Sequence, residues 1–529
     1  MTVPSLVQDA AARPAGRLEA AAGSSLAAVA PSAVAAPPPP FAGWSAQTPH
    51  LVDESVKTGR KLCASLEEAV KRSGLQDGGT ISFHHGFREG DKVVLAVVDE
   101  LARLGYKNLT LASSSLNSCH GRLVEHIRAG VISRVYTSGM RGRLAAAVSR
   151  GLMETPVTVH SHGGRIALMD LGELRVDVAF LGVPTCDLFG NANGVSGRSR
   201  CGSLGYAMVD AARAGVVVAV AEQIVPYPNV PASILQDQVD LVVQVDEIGD
   251  PSKISVGAAR LTTNPRELLI ASYAAAVMEH SGYFAEGFSM QAGTGASAIA
   301  TTRYLGKRMA ELGVRAAWGL GGITGDMVDL QREGLVGKIL DTQDFDAQAA
   351  ADLAVNPDHV EITASQYANP FAKGAAVDQL DMVILSALEI DLDFNVNVLT
   401  GSDGIILGAS GGHCDTSAGA KLSIIVTPLL RGRIPMVRDK LTTKVTPGET
   451  IGVLVTDHGV AVNPRRPELA ERLAAAGLPV VGIEQLYDRC NAIAGKPRPL
   501  EFTDRVVGFV RYRDGSVIDT VYQVKEASR

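Results

Sequence analysis

Short apolar runs bounded by glycine, proline or charged residues recur along this chain, separated by stretches with helical periodicity. Val178-Ala179-Phe180-Leu181, Val216-Val217-Val218-Ala219-Val220, Ile424-Ile425-Val426 and Ile451-Gly452-Val453-Leu454-Val455-Thr456 are too continuously apolar for strands with one wet face. They predict parallel strands buried on both faces. Further strands are expected at Ile81, at Leu109-Thr110-Leu111 and at Val157-Thr158-Val159-His160. Helices are expected over 66–72 and over about 91–104, where apolar residues return every three or four positions. The pattern is that of an α/β protein with mainly parallel sheets and right-handed crossovers.

The pattern also repeats. Val176-Asp177-Val178-Ala179-Phe180-Leu181 runs into Asp187-Leu188-Phe189-Gly190-Asn191-Ala192-Asn193, and Leu380-Asp381-Met382-Val383-Ile384-Leu385 runs into Asp391-Leu392-Asp393-Phe394-Asn395-Val396-Asn397. Three polar positions share one offset: 381 − 177, 391 − 187 and 397 − 193 all give 204. Upstream, Ile81 to Gly90 and Phe288 to Gly295 both read as strand, glycine loop and helix, with Gly86 and Gly293 separated by 293 − 86 = 207. Two similar domains are therefore expected, 57–287 and 288–529, with a ligand crevice at the carboxyl ends of their strands. Residues 1–56, rich in Ala, Pro and Ser and containing Pro37-Pro38-Pro39-Pro40, read as a low-complexity tail. No compact apolar core follows a basic start, so the tail is not read as a signal peptide.

Composition narrows the class. A net charge of −7 leaves no basic stripe for nucleic acid. No apolar stretch is long enough to span a bilayer. The six cysteines are scattered without a Cys-x-x-Cys pair, which favours reduced thiols, a cytoplasmic location and no structural zinc site.

Several stretches resemble the α subunit family of bacterial citrate lyase over nearly all of 57–526. They include Ser82-Phe83-His84-His85, Ala112-Ser113-Ser114-Ser115-Leu116, His160-Ser161-His162-Gly163-Gly164-Arg165, Thr262-Thr263-Asn264-Pro265-Arg266-Glu267-Leu268-Leu269-Ile270, Leu399-Thr400-Gly401-Ser402-Asp403-Gly404 and Thr456-Asp457-His458-Gly459-Val460-Ala461-Val462-Asn463-Pro464. The resemblance implies a duplicated CoA-transferase-like fold of the NagB/RpiA type. It also implies a transferase that exchanges acetyl for citryl on the thiol arm of an acyl carrier protein. The arm would be a phosphoribosyl-dephospho-CoA group, with CoA thioesters as surrogates and no cofactor bound by this chain. A β lyase subunit and a γ carrier protein would complete an oligomeric complex. Two other readings are a free-standing acyl-CoA transferase or hydrolase of the same fold, and a metabolite sensor on the same scaffold with an added helix-turn-helix, for which the low-complexity tail offers no material.

Moving a thioester between carboxylic acids needs preorganised donors for an oxyanion, commonly backbone N–H groups in glycine loops. Gly86, Gly411 and Gly412 are candidate donors, and Gly293, Thr294, Gly295 and Gly408 are candidate contacts for the thioester arm. A tricarboxylate calls for arginine: Arg88, Arg141 and Arg165 stand in loops after predicted strands, and Asn395 and Asn397 in the repeated loop are further candidates. Glu389 is the asymmetric acid of the duplication, since its counterpart is Thr185. Related transferases that form a glutamyl thioester carry their nucleophile at a place that aligns with Gly321, where no carboxylate stands. Citrate itself is thus expected to attack, with Glu389 orienting substrate or its loop. His160 and His162, without a third ligand nearby, are read as hydrogen-bonding residues, and no metal site is expected.

Overall fold

The computed structural model describes residues 61–254, 262–293 and 295–525; the tail expected over 1–56 lies outside them. Seven parallel strands form the body of the first sheet: β1 (Thr80–Phe83), β2 (Leu109–Ser113), β3 (Ile132–Thr137), β4 (Val157–Val159), β5 (Val178–Cys186), β6 (Val216–Ile224) and β7 (Leu241–Gln244), with the short strand Leu62–Cys63 added beside β7. Seven more build the second: β8 (Phe288–Ala292), β9 (Ala316–Ile323), β10 (Val336–Asp344), β11 (His359–Glu361), β12 (Met382–Ser386), β13 (Leu422–Val426) and β14 (Val453–Thr456). Their spatial orders are β7-β6-β5-β1-β2-β3-β4 and β14-β13-β12-β8-β9-β10-β11, the same permutation.

The continuous apolar runs do what two-faced burial requires. All nine residues of β5 are buried, as are all of β13. Helices cover the faces with one stripe each: 93–103 buries Val93, Val94, Val97, Val98 and Leu101, which are one turn apart. The helix Ala296–Leu312 stops at Gly313, whose left-handed φ of 67° suits only a residue without Cβ.

The repeated polar positions have equal roles in both halves. Asp177 Oδ2 accepts from Thr80 N at 2.7 Å, and Asp381 Oδ2 from Ser289 N at 2.8 Å, so each aspartate fixes the start of the neighbouring central strand. Asp187 Oδ1 accepts from Phe189 N and Asn191 N; Asp391 Oδ1 accepts from Asp393 N and Asn395 N. Antiparallel pairs then close each loop, Thr185 with Asn193 and Glu389 with Asn397. These partners again differ by 204.

The division at 288 is crossed at the carboxyl end of the chain. The hairpin β15 (Phe502–Arg511) and β16 (Val517–Val524) joins the first sheet, with Gly508, Phe509 and Val510 parallel to Val157, Thr158 and Val159 of β4. The expected domain 288–529 therefore does not hold its last strands. The physical reason is the edge of the first sheet: β4 has only three residues, and the hairpin covers its open side with Val507, Val510 and Val521 buried.

Both sheets belong to one compact unit, joined by a polar seam. Asp415, fully buried on the helix His413–Gly419 of the second half, accepts from Ser161 Oγ at 2.8 Å and Gly163 N at 2.9 Å in the first half. Nearby, His162 N donates to Gly411 O, Ser410 N to Ser138 O and Met140 N to Gly408 O. Asp415→Ala would strand a buried hydroxyl and a buried amide, so we expect it to lower unfolding free energy by on the order of 3 kcal/mol, and Asp415→Asn by less. Urea unfolding of the two variants measures the difference.

Candidate active site

The carboxyl ends of both sheets open on one cleft of about 570 Å³. The first half supplies loop residues after β1 (His85, Arg88), β2 (Ser115, Asn117), β3 (Ser138, Arg141) and β4 (His162). The second supplies Gln291 from the end of β8, Gly293 and Gly295 after it, Gly322 from β9, Gln343 and Phe345 around the end of β10, and the loop 408–413. A second concavity of about 640 Å³ lies at the amino ends of β9 and β10, among Glu286, Arg315 and Asp358. No residue of the first half lines it, and it sits at the end of the sheet opposite to where α/β folds bind ligands, so the cleft between the halves is the functional one.

Two guanidinium groups dominate the cleft. Neither Arg88 nor Arg141 has a carboxylate partner among the described residues; Arg141 Nη1 donates weakly to Asn117 Oδ1 at 3.3 Å. Burial, then repulsion from Arg141, pushes Arg88 down to about 10, and burial lowers Arg141 as well. Arg88 lies over the Phe345 ring at 4.8 Å, and its backbone has a φ of 50°, uncommon for a residue with Cβ. Arg88 Nη1, Asn117 Nδ2 and Ser138 Oγ are buried without any hydrogen-bond partner. Buried polar atoms are normally satisfied, so three open ones on one wall mark where a polar, anionic ligand belongs.

Beside them, His85, His162 and Tyr206 pack ring on ring, with centroids 4.6 to 5.5 Å apart. His85 Nδ1 and Ser114 Oγ are 2.5 Å apart. Burial, followed by His162 and nearby arginines, holds His85 well below the ordinary imidazole value, and burial with Arg165 pushes His162 down to about 3. Burial thus favours the neutral form of both rings; His85 is bonded to Ser114 Oγ, while the His162 ring has no hydrogen-bond partner among the described residues. On the opposite wall, Gly411 N and Gly412 N have no acceptor among the described residues, while Gly408 N is bonded to Leu399 O and Gly293 N to Ile384 O. A Cβ at Gly412 would lie 2.5 Å from Tyr367 Oη.

The structure sorts the sequence candidates. Arg88, Arg141, Gly293, Gly295, Gly408, Gly411 and Gly412 line the cleft. Thr294 lies outside the described residues. Arg165 does not reach the cleft: it is 2 % exposed, with Nη2 donating to Asp210 Oδ1 at 2.9 Å and to Ser82 Oγ at 2.7 Å. Gly86 is tucked behind the cleft, its N–H directed to His84 Nδ1 at 3.3 Å. Glu389 is 1 % exposed and accepts from Asn397 Nδ2, Thr442 N and Thr442 Oγ1, so it orients loops and touches no ligand space. Asn397 and Asn395 are committed likewise, to Glu389 and Thr400, and to Asp391 and Gly448. Gly321 has a φ of 105° at a bulge between β9 and β10, and a side chain there would strike Gln291 Cδ at 2.7 Å. Among the described residues the lining holds one carboxylate, Glu267 at the rim. His85, Asn117, Ser138, Tyr206, Gln291 and Tyr367 were not singled out from sequence as site residues, whereas His162, expected there only to form hydrogen bonds, lines the cleft; the signal was position, since His85, Asn117, Ser138 and His162 each follow a strand by one to four residues.

The fold defines a class. A 4-hydroxybutyrate CoA-transferase from Porphyromonas gingivalis, 18% identical, superposes with a TM-score of 0.52 over 82% of this chain and 98% of its own, a likeness of fold alone. The arrangement is that of a CoA-transferase-like protein with a cleft between two related halves. Within that class, residues 59–524 match the family model described as citrate lyase, alpha subunit (CitF). The citrate lyase alpha chain of Klebsiella pneumoniae is 62% identical over 488 residues, 92% of this chain and 96% of that one. A structure described as the alpha subunit of citrate lyase in complex with citrate, from Streptococcus mutans, matches with a TM-score of 0.87 and 51% identity, covering 88% of this chain and 92% of that one. The chain belongs to the citrate lyase alpha subunit family.

Because His85 and His162 are held neutral by burial, their ring signals in selectively ¹³C-histidine-labelled protein should not titrate between pH 8 and pH 5. Protonation lies below that window for a lowered imidazole pKa. Inflections near pH 6.5 assigned to either ring would contradict the burial seen here.

Proposed function

We propose that this chain transfers an acyl carrier thiol from acetate to citrate, acting as the transferase subunit of a citrate lyase. The observation that carries the reading is the pair of guanidiniums without a carboxylate partner, Arg88 and Arg141, together with the orphaned atoms Arg88 Nη1, Asn117 Nδ2 and Ser138 Oγ in the inter-half cleft. A tricarboxylate would supply both the missing negative charge and the missing hydrogen-bond acceptors. Membership of the family, and the citrate complex of a 51% identical relative, point the same way.

In this mechanism a citrate carboxylate oxygen attacks the acetyl thioester carbon. The C–S bond breaks, the thiolate leaves, and a citric-acetic anhydride forms. The thiolate then attacks the citryl carbonyl, a C–O bond breaks, and acetate departs. The N–H groups of Gly411 and Gly412, which have no protein acceptor among the described residues, would receive the oxyanion of either step. No enzyme carboxylate is needed as nucleophile, which fits the occupation of the Gly321 position by backbone packed on Gln291. A free-standing transferase that forms a glutamyl thioester would need an acid there, so that alternative is disfavoured.

The carrier would be a separate γ protein bearing the phosphoribosyl-dephospho-CoA arm, and a β subunit would cleave the citryl product. CoA thioesters are the natural surrogates, and the cytoplasm is the natural setting for such a complex. No helix among the described residues is long and apolar enough to cross a membrane.

The test is formation of citryl thioester from citrate and acetyl-CoA or acetyl carrier protein by the purified chain. Arg88→Ala and Arg141→Ala should each raise the citrate KM on the order of 10- to 100-fold, as expected for loss of a charged hydrogen bond. The KM for the acetyl thioester should stay nearly constant. No citryl thioester from the wild-type chain with either donor would refute the transferase reading.

The direct-attack step has its own check. Hydroxylamine or borohydride treatment during turnover should trap no thioester on the protein, and Glu267→Gln should leave that result unchanged. A trapped glutamyl adduct that disappears in Glu267→Gln would show that the rim acid is a nucleophile.

A further inference from the structure

Outside the cleft, the ends of β10 and β11 bring together Asp341, Asp344 and His359, each offering a ligand atom within 4.8 Å of the others. All three are buried. Each commits one polar atom to the protein. Asp341 Oδ1 accepts from Gln343 N at 2.8 Å, Asp344 Oδ2 from Ser203 N at 2.8 Å, and His359 Nδ1 pairs with Asp352 Oδ2 at 3.1 Å. His359 Nε2 is then left buried without a hydrogen-bond partner, and so are Asp341 Oδ2 and Asp344 Oδ1 unless the two carboxyls share a proton.

Three orphaned donor-type atoms are the second, independent sign of a ligand, because a buried carboxylate oxygen left unpaired is costly. His359 Nε2 and Asp341 Oδ2 approach to 3.3 Å without hydrogen-bond geometry. Two atoms bound at about 2.0–2.1 Å to a tetrahedral ion stand roughly 3.3–3.4 Å apart, so this is the spacing of two ligands on one cation. The Asp352–His359 pair is the outer carboxylate that commonly fixes the tautomer of a metal-bound imidazole. Charge agrees: among the described residues neither Asp341 nor Asp344 is paired with a lysine or arginine, and Glu361 adds a further acid nearby.

We infer that Asp341, Asp344 and His359 form a structural site for one divalent transition-metal ion, of the zinc, manganese or iron class that a mixed carboxylate and imidazole set accepts. The site is separate from the citrate cleft and does not depend on the proposed transfer chemistry. Its position gives it a task. Asp344 is held by Ser203 of the first half, and Gln343, between the two aspartates, reaches the cleft and donates to His85 O at 3.0 Å. A bound ion would lock the turn that carries Gln343 and Phe345 and tie the halves together. The competing occupant is a proton shared by Asp341 and Asp344, whose carboxyls burial, foremost, holds well above the usual range.

The full chain, expressed in medium supplemented with zinc, manganese and iron and passed through chelator-containing buffer, should retain about one equivalent of one of these metals by mass spectrometry. Asp344→Asn and His359→Gln should lose it. Asp352→Asn should keep it less tightly, with a 10- to 100-fold weaker competition against a chromophoric chelator. Protein grown without these metals should melt several degrees lower than metal-loaded protein. If Asp344→Asn does not fold, the wild-type measurement decides alone. Wild-type chain with less than about a tenth of an equivalent of every metal, and one melting temperature with or without metal in the medium, would overturn the inference in favour of the shared proton.

Discussion

Backbone meets backbone at two places between the halves, and the cleft depends on both. At Gly139 a Cβ would lie 2.3 Å from Ala409 Cα, and at Gly163 it would lie 2.1 Å from Ala368 O. Contact this close is open only to glycine. It brings the loop after β3 against the loop 408–413, so that Arg141 from one half and Gly411 and Gly412 from the other line the same cleft. The seam hydrogen bonds from His162 N, Ser410 N and Met140 N follow from this approach. A side chain at either glycine would push the halves apart and remove the cleft before any chemistry was lost.

Within that frame the electrostatics are one-sided. Burying two guanidiniums near each other with no acid between them is unfavourable. Contact of Arg88 with the Phe345 ring offsets part of the cost. The rest remains until an anion enters, which is how a site converts folding free energy into affinity for a polyanion. The neutral histidines fit the same economy, since two further cations beside Arg88 and Arg141 would make the empty cleft untenable.

Much of this was legible in the sequence, for identifiable reasons. The duplication could be read because aspartates and asparagines that satisfy their own loops must sit at fixed spacing, and the side-chain oxygens at 177/381, 187/391 and 193/397 accept from equivalent backbone amides in both halves. Arg88 and Arg141 could be read because they follow strands by a few residues. Arg165 satisfied the same rule and failed, because its helix turns it inward onto Asp210 and Ser82. Glu389 stood out as the odd member of its pair. Its asymmetry is structural: Thr185 Oγ1 meets Asn193 at 3.3 Å, whereas the longer acid holds both Asn397 and the Thr442 loop. The C-terminal hairpin could not be placed, because its alternation is the same whichever edge it joins. The Asp341, Asp344 and His359 cluster was equally hidden, since only pairing of β10 with β11 brings His359 alongside Ile339 and Asp341 alongside Glu361.

The duplicated frame also bears on what the open amides bind. Loop 201–204 precedes the helix Gly205–Arg213 and β6, as loop 409–412 precedes the helix His413–Gly419 and β13. In the first copy, Ser203 N donates to Asp344 Oδ2 at 2.8 Å and Leu204 N to Glu361 Oε1 at 2.5 Å. In the second copy the last two amides before the helix, at Gly411 and Gly412, have no acceptor among the described residues. One loop before a helix thus has its amides filled by carboxylate oxygens of the protein, and the other has two amides that no protein acceptor fills. Preorganised N–H pairs that hold carboxylate oxygens in one copy are suited to a carboxylate or a tetrahedral oxyanion in the other. The arginines then select which carboxylate enters.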